Sequence, residues 1–112
     1  MTARNLTRKL VLEKPVRVAD GAGGYSETWT PLGTVWAEFR SRSGRERGIA
    51  GTAVSAMAYR VFVRAAPVGD SRRPVPGQRF IEGARVFAIE AVSDNDQRGR
   101  YLECFVQEEV AT

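Results

Sequence analysis

Apolar side chains along this chain recur every second residue, in short runs separated by turn-forming residues. That is the period of a strand with one face on a core. Across 8–18, Leu10, Leu12, Val16 and Val18 alternate with Val11, Glu13 and Arg17, predicting a first strand. Pro15 has no N–H to give, so it belongs at a sheet edge or a bulge. Asp20-Gly21-Ala22-Gly23-Gly24 is the strongest turn signal in the sequence. Its glycines accept positive φ, and the Asp side chain can close the turn. Tyr25, Glu27 and Trp29 then alternate with Ser26, Thr28 and Thr30, which predicts the returning strand of a hairpin. Pro31-Leu32-Gly33 reads as a break, after which 34–40 resumes as strand, rich in β-branched and aromatic residues. Further strands are expected at 59–64, 78–82, 85–92 and 99–108, joined by the Pro/Gly-rich segment 67–77, the tight turn Gly83-Ala84 and the Ser93-Asp94-Asn95-Asp96 turn. The acidic end of the last strand, Glu108-Glu109, is expected to leave the core.

Between 41 and 57 neither period holds. The segment is Arg-rich in its first half and small and apolar in its second, with Gly44, Gly48 and Gly51 spaced through it. A helix there would carry two interior glycines, Gly48 and Gly51, each costing about 1 kcal/mol. A loop is the better reading, and loops this long are usually functional or disordered. The expected fold is therefore all-β: a small barrel or sandwich of six or so strands, with one long loop projecting between the second and third main strands. Residues 9–109 form one domain, between a flexible polar arm at 1–8 and a short tail at 110–112.

Composition narrows the chemistry. With 112 residues there is room for one core. No apolar run approaches a membrane span, and the N-terminal residues lack the apolar centre of a signal peptide, so a protein assembled in the cytoplasm is expected. Cys104 is the single cysteine, expected as a small core residue, so neither a disulfide within the chain nor a thiolate cluster can form. No histidine is present, which removes the commonest general base and metal ligand. No cofactor or metal is expected. Glu38, Glu46, Glu82 and Glu90 are the carboxylates an acid–base pair could use, but nothing in the sequence converges two of them, and an enzyme is not the expected reading. The glycines at 21–24 lack the strand-then-helix setting of a phosphate loop, and Asp94 and Asp96 lack the glycine and distal glutamate of a calcium loop.

The net charge of +4 is too mild to mark a nucleic-acid binder by itself, but its placement is informative. Arg40, Arg42, Arg45 and Arg47 lie close together in or beside the long loop. Guanidinium groups suit phosphate, and a ring of copies would line an axial channel with them. The plainer alternative is a solvated loop.

Taken together, the order of weak motifs resembles the head–tail joining proteins of long-tailed phages, prophages and gene transfer agents, the head-completion or stopper class. The motifs are the turn at 20–24, Trp29, Val-Trp-Ala at 35–37, Ser-Gly-x-Glu at 43–46 and an aromatic strand ending at Val63-Arg64. Gln-Arg-Phe-Ile at 78–81, the apolar run 86–92 and Arg-Tyr-Leu-Glu-Cys at 100–104 complete the series. Many relatives carry a histidine just before the third strand, where this chain has Tyr59 nearby.

The resemblance implies a virion or virion-like location and a homo-oligomeric ring, typically six-fold, between the portal–adaptor assembly and the tail terminator or tail tube. It also implies non-sequence-specific contact with double-stranded DNA in the channel. Arg42, Arg45 and Arg47 would bias the DNA end, and the apolar half of the loop, with Ile49, Val54 and Met57, would supply closure. Asp20, Gly21, Gly23 and Gly24 would form a structural turn. Two rivals remain at this stage. One is a tail-terminator or tail-completion ring, which needs no axial loop. The other is a monomeric OB-like nucleic-acid-binding module, which would stack bases on aromatics such as Phe62 or Trp36. Core burial is the simpler expectation for both aromatics.

Overall fold

The period-2 pattern closes into a barrel. A computed structural model describes residues 4–42, 57–94 and 98–109 of the chain. Its strands are β1 (Arg8–Ala19), β2 (Tyr25–Ser41), β3 (Ala58–Arg64), β4 (Arg79–Glu82), β5 (Arg85–Ser93) and β6 (Tyr101–Glu109). They form one closed sheet in the order β1-β2-β3-β6-β5-β4, with every neighbouring pair antiparallel. The all-β class expected from the sequence is the one observed, as a barrel rather than a sandwich.

Inward positions follow the alternation. Leu10 and Leu12, Val61 and Val63, Phe80, Phe87 and Ile89, and Leu102, Cys104 and Val106 are all buried. A barrel of this size has room inside for side chains and little else. Burying Cys104 pushes its thiol up to about 12, which leaves an inert core residue.

The expected break at 31–33 is not a break. β2 runs unbroken from Tyr25 to Ser41, and the ladder to β1 shifts by one residue there: Leu12 faces Gly33 and Glu13 faces Pro31. Leu32 is therefore the extra residue of a β-bulge, and it packs against the core cluster. Gly33 has φ +150°, a value side-chain-bearing residues rarely adopt. Residues that look like strand breakers in sequence thus supply the irregularity a bulge needs.

β1 and β2 are longer than the barrel. β4 covers β1 only at Val11–Glu13, and β3 covers β2 only at Ala37–Ser41. Residues 14–19 and 25–30 pair only with each other and form a two-stranded arm, in which Pro15 sits on a free edge. Arg79 of β4 clamps the base of this arm, with its Nε 2.8 Å from Glu13 and its guanidinium 4.0 Å from the Trp29 ring centre.

Asp20 closes the arm's tip by accepting N–H bonds from Ala22 (2.8 Å) and Gly24 (3.0 Å). Gly23 has φ +85°. Gly23→Val is therefore expected to cost about 1 kcal/mol or more, measured by chemical denaturation. An unchanged midpoint would show that the turn absorbs the side chain.

Candidate functional site

All six strands bring one end to the same rim: the starts of β1, β3 and β5 and the ends of β2, β4 and β6. The connection between β2 and β3 leaves from this rim, and both of its ends are pinned. The Arg42 N–H donates to the Ala58 carbonyl at 3.1 Å, and the Met57 carbonyl accepts from the Glu108 N–H at 2.8 Å. The Arg42 guanidinium reaches Glu90 at 3.1 Å and lies 5.3 Å from the Phe105 ring centre. Met57 is exposed. Arg45, Arg47, Ile49 and Val54 lie outside the described residues, as does Glu46.

At this rim the barrel is sealed. Stepping outward by one strand period from the core residues Leu10, Phe80, Phe87 and Val106 gives Arg8, Glu82, Arg85 and Glu108. These four form a chain of ion pairs across the mouth. Arg8 Nε lies 2.9 Å from Glu82, Arg85 lies 3.7 Å from Glu82, and Arg85 Nε lies 2.8 Å from Glu108. A trio of edge-on rings forms the floor, with Phe87 5.0 Å from Phe39 and 5.9 Å from Tyr59. The Arg8 guanidinium covers Phe39 at 3.6 Å.

The Arg8 hydrogen bonds hold the Glu82 carboxyl below the ordinary range against the opposing effect of burial. Arg85, with help from the Tyr59 hydroxyl, does the same for Glu108. Glu108 in return raises Arg85. The acidic end of β6 leaves the core as expected, with Glu109 exposed, but Glu108 is not free: a cation from β5 holds it at the rim.

The outer wall carries a second cluster. Glu38, Phe62 and Glu103 stand in one row across β2, β3 and β6. Phe62 is only 5% exposed although it points outward, because Arg4 lies 3.5 Å from its ring centre and Arg60 lies 5.2 Å away. Glu103 is ion-paired with Arg60. Residues 4–7, in the segment expected to be a flexible arm, run along this wall. Glu38 accepts from the Asn5 N–H at 2.8 Å and from Arg4 at 3.1 Å. Burial pushes the Glu38 carboxyl up, but these donors and Arg40 outweigh it, and the net shift is downward.

Trp36, by contrast, is 51% exposed, so its expected burial is overturned. It lies opposite Lys9, on the outward face, where β3 no longer covers β2. Of the four glutamates weighed for paired-carboxylate chemistry, Glu38, Glu82 and Glu90 are each bound to arginine. Among the described residues no group of three His, Cys, Asp or Glu side chains could hold a metal ion.

The two residue sets singled out in the sequence thus occupy opposite ends. Asp20, Gly21, Gly23 and Gly24 cap the arm's tip, while Arg42 and Met57 flank the connection at the sealed rim. Sequence reasoning missed the rim's ion pairs. Their signal was present, because each is an alternation partner one step beyond a core residue.

Comparison with known proteins decides between the readings that this geometry leaves open. A model of the phage head completion protein family matches residues 1–109. The chain belongs to the phage head completion protein family. A solved structure described as the virion of a native gene transfer agent particle contains a similar chain, at 51% identity and a TM-score of 0.82. The match covers 98% of this chain and 100% of that one. No curated protein matches. The family and the virion likeness together support a structural role in the particle at the head–tail junction. No helix among the described residues is long and apolar enough to cross a membrane.

Proposed function

We propose that this head completion protein is a connector at the head–tail junction of a phage or gene-transfer-agent particle. Copies form a ring between the portal–adaptor assembly and the tail. The long loop read at 41–57, between β2 and β3, closes the DNA channel after packaging and withdraws for ejection. The observation that carries this reading is the whole-length likeness to a gene-transfer-agent virion chain within the head completion family.

Packing supports the ring. The barrel interior is filled by buried apolar side chains and sealed at the rim by ion pairs, so no duplex can thread a single copy. A DNA conduit must therefore lie between copies. The connection leaves each copy from the sealed rim, so in this reading that rim faces the axis. Arg45 and Arg47 would meet phosphate without reading sequence. Arg42 would hold the base of the connection through Glu90.

Electron microscopy of particles from a strain lacking this gene tests the reading. The expected result is heads without tails that fail to retain DNA. Tailed, DNA-delivering particles would overturn it. Within the same assay, deleting 49–54 should give heads that assemble but leak. Changing Arg45 and Arg47 to Ser should preserve tailed particles and alter DNA retention or delivery. If that arginine variant fails to form the ring, these side chains belong to a subunit interface instead.

A further inference from the structure

We propose that the uncovered edge of β2 is a docking site for an extended acidic strand of another protein of the particle, which adds to the sheet beside Thr34–Trp36. The inference rests on the connector reading and names a contact that the reading leaves unspecified.

The first observation is an open edge. β3 pairs with β2 only at Ala37–Ser41, so β2 has no strand neighbour on that side from Tyr25 to Trp36. Its own chain cannot fill the gap. Beyond Arg64 the backbone turns to β6, where the Ala65 N–H donates to the Arg100 carbonyl at 2.8 Å. Where β2 and β3 part, a cleft of about 230 Å³ opens, lined by Thr34, Val35, Trp36, Arg64, Ala65 and Pro67 among others. An open edge beside side-chain pockets is the arrangement that accepts a strand.

The arm's two free edges differ. The β1 edge carries Lys14, Pro15 and Arg17, which are features that block strand pairing. The β2 edge carries Tyr25, Thr28, Trp29 and Thr30, which favour it, and its own proline and acid, Pro31 and Glu27, lie outside the Thr34–Trp36 segment. Trp36, exposed beside the cleft, supplies a large apolar contact.

Charge selects the occupant. Lys9 faces Trp36 across the ladder, and Arg64 follows Val63, the partner of Ala37, so both cations flank the indole on the outward side. Most arginines in this chain are bound to carboxylates, including Arg72 at the cleft, which Asp70 holds at 3.0 Å. Lys9 and Arg64 have no carboxylate within 4.0 Å among the described residues. A second copy does not supply the missing acid. Two other edges are open among its described residues: the basic, proline-bearing edge of β1, and β5 beyond Ile89, whose one acid, Glu90, is already held by Arg42. The complementary ligand is an acidic strand from a different chain.

The test places a photo-crosslinking phenylalanine analogue at Trp36, and separately at exposed Thr34, and irradiates purified particles. The expected product joins this chain to a segment of another virion protein carrying net negative charge. Lys9→Glu combined with Arg64→Glu should cut the yield of tailed particles roughly tenfold or more through like-charge repulsion. The melting temperature of the isolated chain should stay unchanged. Products linking two copies of this chain, products with DNA, or a full yield of tailed particles from the charge-reversed chain would overturn the proposal. Absence of this chain from the particles would instead overturn the connector reading. Its presence with no product at either position would overturn the docking site alone.

Discussion

Phe87→Ala is expected to lower stability by about 3–5 kcal/mol, seen as a lower midpoint in chemical denaturation with little change in slope. Phe87 is fully buried, and it is the ring that both Phe39 and Tyr59 contact edge-on. Truncation would open a cavity directly beneath the rim. Arg85, whose guanidinium lies 5.0 Å from the ring centre, would lose its support. Phe87→Leu keeps most of the volume and should cost much less. Equal midpoints for the wild type and the alanine variant would show that the rim does not rest on this ring. The functional link is direct, because the connection that the proposed gate depends on is anchored at Met57 to β6, beside Glu108.

Glu108→Gln should cost about 0.5–1 kcal/mol at neutral pH, since it removes a charged acceptor from the partly exposed Arg85. The same substitution should flatten the acid limb of the stability profile. The sign follows from linkage. Glu108, Glu82 and Glu38 all have folded-state values below the ordinary 4.5. Their contribution is fully present above the unfolded value. It is lost as pH falls from about 4.5 through the lowered folded values, where the folded state must take up protons it resists. Denaturation midpoints measured between neutral pH and pH 3 should fall more steeply for the wild type than for the variant. Parallel curves would mean that the rim pairs are too well solvated to matter.

Strand existence was legible because the alternation is strong and the turns are chemically explicit. The Asp20–Gly24 tip, the edge position of Pro15 and the burial of Cys104 all follow from local rules. Pro31 and Gly33 misled because the same residues that end strands also build bulges, and only the register to β1 separates the two cases. Trp36 misled because its strand loses its neighbour one residue before the core begins at Ala37, a fact that depends on where β3 stops. Arg85 and Glu82 face each other across the tight β4–β5 turn, but Arg8–Glu82 and Arg85–Glu108 join residues far apart in sequence, so no local window shows that the four make one chain of pairs. Arg42 reads from sequence as part of a free basic loop, and its bond to Glu90 depends on β5 arriving beside β6.

The short seam between β1 and β4 has a consequence for how the chain comes off the ribosome. The barrel closes through three residue pairs, Val11 with Ile81, Leu12 with Phe80 and Glu13 with Arg79. β1 and β2 can pair as soon as the hairpin is synthesised, but the strand that shuts the sheet is made far later. Until then Leu10, Leu12 and Ala37 face water on an open, curved sheet with unmatched edges. This is the interval in which the nascent protein is most exposed to aggregation and to capture by chaperones. The Lys and Pro on the β1 edge therefore guard the chain before it is a barrel, as well as after.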